Sequence, residues 1–75
     1  MKKLNKILVT IFKINEDKLT DELSMADVVL WDSLKHMELI AVIEDELNIE
    51  LTAEDIMKMV DVKSIRDIVT LKGLT

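Results

Sequence analysis

L-W-D-S-L-K-H-M-E-L-I-A-V-I-E-D-E-L, residues Leu30 to Leu47, decides how this chain is read. At about 100° per residue, Leu39, Ile40, Ile43 and Leu47 gather on one side of a helix, wide enough to face a core. Leu34, Met37 and Ala41 make a second apolar row on the far side, interleaved with Glu38, Glu44, Asp45 and Asn48. A helix that needs one buried stripe therefore has two. Apolar side chains ringed by acids give a docking surface contact area, steering and register. The alternative is a helix buried on two sides with the acids as a solvated rim. Asp32 or Ser33 supplies the N-cap, which starts the helix near Ser33 and carries it to Leu47.

Ser33, at the mouth of this helix, has three readings: a helix cap, a catalytic nucleophile or an attachment point. The first backbone N–H groups of a helix lack partners and its dipole is positive there, so a phosphate on the Ser33 oxygen is favourably placed. The nearby acids partly oppose it. The residues alone leave these readings open.

Before this helix, Leu4, Ile7, Leu8, Ile11 and Phe12 recur at three- and four-residue steps, with Lys2, Lys3, Lys6 and Lys13 on the opposite side, which predicts a first amphipathic helix. The opening M-K-K-L-N-K-I-L-V-T-I-F-K is read as structural: its apolar stretch is short, ends at Lys13 and precedes no small-residue cleavage site. Residues 14–31 are polar and rich in cap-forming types, with Leu19, Leu23, Val28, Val29 and Leu30 scattered among them, and read as a long loop. Loops of this length persist in compact domains when they are functional or pinned by their own apolar side chains. After Leu47, Thr52-Ala53-Glu54-Asp55 resembles a capping box opening a short helix through Ile56, Met57 and Met59. A last helix follows Asp61, with Val62, Ile65, Ile68 and Val69 as its stripe and Gly73 as its stop. The expected fold is all-α: a small bundle of three longer helices and one short one, forming a single domain over residues 1–75.

A domain of 75 residues buries only about 60% of its unfolded surface, so the core must be economical. The absence of cysteine excludes a disulfide framework, a thiolate nucleophile and a zinc–thiolate site, and suits a reducing cytoplasm. Aromatic residues at 3% leave little to stack on nucleobases. Charge is segregated along the chain. Residues 1–13 carry +4, residues 14–31 carry −4, residues 32–55 carry −7 and residues 56–75 carry +2. The acidic middle repels phosphate backbones and attracts basic protein surfaces, which points away from nucleic acid and toward partners with Arg or Lys patches. Leu39 to Ile43 is the longest unbroken apolar run, far short of the roughly 20 residues a membrane span needs, so a soluble, monomeric protein is expected.

The run D-S-L-K-H-M-E-L-I-A-V-I-E-D-E-L, together with I-E-L-T-A-E-D-I further on, resembles the acyl carrier protein family. The likeness covers nearly the whole chain. It implies that Ser33 takes a covalent 4′-phosphopantetheine arm from coenzyme A, that Asp32 and Leu34 are recognised by the phosphopantetheinyl transferase, and that Leu34, Met37, Glu38, Ala41, Glu44 and Asp45 meet partner enzymes. Those partners are an acyl-loading ligase or transferase and a downstream synthase or acyltransferase of fatty acid, polyketide or related biosynthesis. The arm's thiol would hold an acyl group as a thioester, with the protein supplying orientation and address. A longer chain is expected to fold back between the helices. Trp31 replaces the small residue usual before D-S-L, and Lys35 stands where an acid is common. Both are read as changes at the docking surface, fitting a stand-alone carrier of a specialised pathway. The G-G-x-S-L pattern of peptidyl carriers is absent, although an aminoacyl cargo stays open, as does an unmodified interaction module of the same fold.

The enzymatic rival is a serine hydrolase, since Ser33 and His36 are three residues apart on one helix. No G-x-S-x-G elbow, glycine-built oxyanion hole or orienting acid accompanies them, so no catalytic residue is assigned. His36 is read as a core-side packing or capping residue. Glu44-Asp45-Glu46 is no metal site, because consecutive helical side chains fan apart. Met25, Met37, Met57 and Met59 are read as core or interface filler. Trp31 either gates the arm or pins the loop.

Overall fold

The computed structural model describes residues 2–73. Four α-helices follow one another: α1 (Lys2–Phe12), α2 (Ser33–Leu47), α3 (Ala53–Lys58) and α4 (Val62–Gly73). Among the described residues no strand forms, and no helix is long and apolar enough to cross a membrane. The expected all-α bundle of three longer helices and one short one is the architecture observed. The ends of the expected 1–75 domain, Met1, Leu74 and Thr75, lie outside the described residues. Gly73 is still helical and its φ is not positive, so it does not take the left-handed form of the expected glycine stop.

The predicted stripes are the buried ones. Leu4, Ile7, Leu8, Ile11 and Phe12 of α1 meet Leu39, Ile40 and Ile43 of α2 and Val62, Ile65 and Val69 of α4 in one core. Leu47, expected in the core face, packs against it only partly, as does Ile68. Met59 is fully buried just beyond α3 and closes the core from that end. Helix ends follow from local chemistry. Asn48 ends α2 in the left-handed region at φ 53°, a conformation asparagine tolerates better than most residues, and its N–H reaches the Glu44 carbonyl. Thr52 and Asp55 form the reciprocal capping box that opens α3. Asp61 accepts from the Ser64 N–H at 2.7 Å, doing the same for α4.

The segment from 14 to 31 is more ordered than a loop reading implies. A single 3-10 turn occupies Glu16–Lys18, and Ser24 pairs with Asp61 in an isolated antiparallel bridge. Met25 N–H donates to the Val60 carbonyl, Val62 N–H to Leu23 and Lys63 N–H to Asp21, strapping the segment to the α3–α4 junction. Leu19, Val28 and Trp31 pin it to the core. Arg66 adds a polar tie, with Nη1 at 2.6 Å from Asp21 Oδ1 and Nη2 donating to Asn5 of α1 at 3.1 Å. These contacts fix the approach of the chain to Asp32 and hence the direction in which α2 starts.

Candidate functional site

Asp32, with extended backbone dihedrals, is the N-cap of α2, and its Oδ1 accepts from the Lys35 N–H at 2.9 Å. Ser33 is the first helical residue and is exposed. The cap-serine reading is therefore corrected: the carboxylate one residue earlier performs that task, and the Ser33 hydroxyl is not spent on the helix end. The first turn of α2 contains no acid, so an anion on that hydroxyl meets the positive end of a 15-residue helix with Asp32 as its nearest opposing charge.

Leu34 and Met37 are 83% and 54% exposed, and Glu38, Ala41 and Asp45 are exposed beside them. The predicted second row of α2 thus faces solvent, and burial on two sides is set aside. The acids of this helix differ in what they can offer. Glu38 is paired with Lys35 at 3.0 Å. Glu44 is half-buried, and its Oε2 accepts from the Leu51 N–H at 2.9 Å, holding the α2–α3 connection. Glu46 faces Lys3 of α1 at 3.9 Å. Asp45 has no partner among the described residues.

Further exposed apolar side chains escape the sequence reading: Val29 at 96% and Leu30 at 43% before Ser33, and Met57 at 78% and Val60 at 48% around the end of α3. Their signal is an apolar residue without a helical stripe to join. Met25 is half-buried, so of the four methionines read as filler only Met59 is deep core, while Met37 and Met57 face outward.

Trp31 does not lie at the surface, where the family comparison put it. It is buried, its ring stacked on Phe12 with centroids 4.5 Å apart, which makes it the loop-pinning residue. Its Nε1–H donates to His36 Nδ1 at 2.9 Å. An indole only donates, so Nδ1 of His36 bears no proton and Nε2–H donates to the Ile56 carbonyl at 3.0 Å. Both ring nitrogens are committed in a buried site, and His36 has no lone pair to offer Ser33. The hydrolase reading fails on that geometry. Among the described residues no group of three His, Asp or Glu is arranged to hold a metal ion.

A groove of about 500 Å³ runs between α1 and α2, floored by Ile7, Ile11 and Val42 and rimmed by Lys3, Lys6 and Glu38. Val42 lies nine residues after Ser33, about 180° around the helix, so the groove opens on the flank away from the serine. It does not supply the pocket expected for a folded-back chain.

The family described as "Phosphopantetheine attachment site" matches residues 2–71. The chain belongs to the acyl carrier protein family. It is 38% identical over 68 residues to the acyl carrier protein of Buchnera aphidicola subsp. Baizongia pistaciae, covering 91% of this chain and 87% of that one. The acyl carrier protein of Buchnera aphidicola subsp. Schizaphis graminum is 37% identical over 72 residues, covering 96% and 91%. The solution NMR structure of the holo acyl carrier protein from Geobacter metallireducens superposes with a TM-score of 0.83 at 32% identity, covering 95% of this chain and 82% of that one. The protein is accordingly an acyl carrier whose prosthetic group is covalent 4′-phosphopantetheine, and its role implies encounters with a phosphopantetheinyl transferase and with biosynthetic enzymes. The exposed hydroxyl at an anion-favouring helix terminus fits such a phosphodiester.

Proposed function

We propose that Ser33 is the attachment point of the 4′-phosphopantetheine arm and that α2 presents the carrier to its enzymes. One observation carries this reading: Asp32 caps α2 and leaves the Ser33 hydroxyl exposed where a helix terminus stabilises an anion. In the transfer reaction the Ser33 oxygen attacks the pantetheine-bearing phosphorus of coenzyme A. A new O–P bond forms, the pyrophosphate P–O bond breaks, the bisphosphorylated adenosine departs and the serine proton passes to the transferase. The arm contributes a terminal thiol able to hold an acyl group. Everything else the carrier does is orientation.

Asp32 and Leu34 flank the serine and are the residues the transferase reads. Leu34, Met37 and Ala41 provide apolar contact for an acyl-loading ligase or transferase and for a downstream synthase or acyltransferase. Glu38, Glu44 and Asp45 supply the charge that steers their basic patches, with Asp45 foremost because its carboxylate has no internal partner among the described residues. The carrier works as a monomeric single domain in the cytoplasm, in fatty acid, polyketide or a related biosynthesis. Lys35, exposing part of its side chain beside Glu38, makes this surface less acidic than the family's usual pattern and supports a specialised set of partners.

Incubation with coenzyme A and a broad-specificity phosphopantetheinyl transferase, followed by intact mass measurement, tests the attachment. The wild-type carrier gains one phosphopantetheine and Ser33→Ala gains none. A well-folded wild type that stays unlabelled, or a labelled Ser33→Ala, rejects Ser33.

A further inference from the structure

We propose that Trp31 and His36 are positioning residues: the indole–imidazole–carbonyl relay from Trp31 through His36 to Ile56 locks the serine-bearing turn of α2, the chain that precedes it and the end of α3 into one docking surface. The proposal rests on the reading of Ser33 and α2 given above and extends it to residues that touch no partner.

The relay joins four parts of the fold. Trp31 stacks on Phe12, the last residue of α1, and so ties the approach to Ser33 to the bundle. Its Nε1–H reaches His36, three residues into α2 beyond the serine, at 2.9 Å. Nε2–H of the same imidazole reaches the Ile56 carbonyl of α3 at 3.0 Å. That carbonyl also accepts from the Met59 N–H, the bond that closes α3. The exposed apolar residues Val29, Leu30, Leu34, Met37, Met57 and Val60 all belong to the segments so joined. Outside them, Leu71 is the one other large apolar side chain with comparable exposure among the described residues.

Helix α3 needs such a tie. Six residues are too few to hold a helix by propensity, and α3 has no fully buried side chain of its own. Its external supports are the capping box, the Lys72–Asp55 ion pair at 2.9 Å, the partly buried Ile56 and the imidazole of His36. Of these, the imidazole is the hydrogen bond that reaches α3 from the helix that carries the serine. A partner binding Leu34 and Met37 together with Met57 meets a preorganised surface when the relay is intact. Without it, the partner must order α3 at the moment of binding.

Trp31→Phe keeps an aromatic ring facing Phe12 but deletes the N–H donor together with part of the buried indole. His36→Gln keeps a donor within reach of the Ile56 carbonyl, and His36→Leu removes both bonds at similar volume. With a phosphopantetheinyl transferase and coenzyme A, the KM for the apo carrier should rise about three- to tenfold in Trp31→Phe, the range expected for one lost hydrogen bond, while kcat stays within about twofold. His36→Leu should exceed it, and His36→Gln should recover part of the loss. Hydrogen exchange gives a readout independent of the transferase. In Trp31→Phe, amides of α3 and of Met59 should exchange about three- to tenfold faster while those of α1 and α4 hold. If the wild type takes no arm, the Ser33 reading fails, and the exchange experiment still decides the relay. Unchanged exchange at α3 overturns the relay, as does a KM equal to wild type at a temperature where both proteins are folded. Should His36→Leu not fold, the Trp31→Phe comparison decides the relay by itself.

Discussion

Asp32 holds two roles that a pair of substitutions separates. Its Oδ1 accepts the Lys35 N–H at 2.9 Å, and its charge lies at the positive end of α2. Asp32→Ala removes both. Loss of an N-cap acceptor costs about 1 kcal/mol, and loss of a negative charge beside a helix N-terminus adds about 0.5 kcal/mol. At about 4–8 °C per kcal/mol for a domain of this size, the midpoint of a far-UV circular dichroism melt should fall by about 6–12 °C. Asp32→Asn keeps an acceptor of nearly equal capping strength and loses only the charge, so its midpoint should fall by about 2–4 °C at low ionic strength, less with added salt. Two equal midpoint drops would refute the claim that the hydrogen bond, rather than the charge, starts α2. The same pair tests recognition. If the transferase reads the carboxylate, Asp32→Asn transfers the arm slowly although its fold is nearly intact. If Asp32 is only a cap, Asp32→Asn transfers at the wild-type rate.

Asp55 carries a pH signature. The Lys72 ammonium and the Thr52 N–H hold its carboxyl down from 3.8 to about 2. A depressed carboxyl stabilises the fold above its unfolded value and loses that contribution as pH falls from about 4 toward about 2. Asp55→Asn should therefore melt below wild type at pH 6, with the gap closing across that acidic window; a gap constant with pH contradicts the assignment. Asp45→Lys should slow acyl transfer to partner enzymes more than Glu38→Lys does, because Glu38 is already paired with Lys35. Both variants should keep wild-type helical content, and equal transfer rates across all three proteins count against the acidic docking surface. Lys13 ends α1 at φ 56°, where a Cβ is strained, so Lys13→Gly should gain about 0.5 kcal/mol in a denaturant titration, and a loss of that size argues that the side chain itself is needed.

The helices are legible in the sequence because their causes are local. The stripe Leu4, Ile7, Leu8, Ile11 and Phe12 predicts α1, and the Thr52–Asp55 capping box predicts where α3 opens. The serine's surroundings are legible in part. The outward row Leu34, Met37 and Ala41 follows from helical spacing, whereas the choice between Asp32 and Ser33 as cap depends on one dihedral that either residue type allows. The middle segment reads as loop because its order comes from partners far along the chain: Val60 for Met25, Leu23 for Val62 and Arg66 for Asp21. Trp31 falls at the surface only by comparison with a family pattern, and its partner Phe12 lies 19 residues earlier, beyond any periodicity. A usable signal exists. His36 falls on the core side of α2, and a buried tryptophan five residues upstream requires an acceptor for its N–H.

The acids of helix α2 differ in whether the fold already pairs them. Glu44 closes the turn to α3, and the exposed Glu46 lies opposite Lys3 of α1, so part of the negative charge that the sequence concentrates in residues 32–55 has partners within the bundle. On the proposed reading, the carboxylates of α2 left for steering are Asp45 and the solvent side of Glu38. Exposed apolar area is not confined to the row on α2, because Val29 and Met57 are exposed as well. On the proposed reading, such a surface would discriminate among enzymes more through apolar fit than through net charge, with a fit that follows the placement of α3. If the relay acts as proposed, part of that fit rests on the buried imidazole of His36.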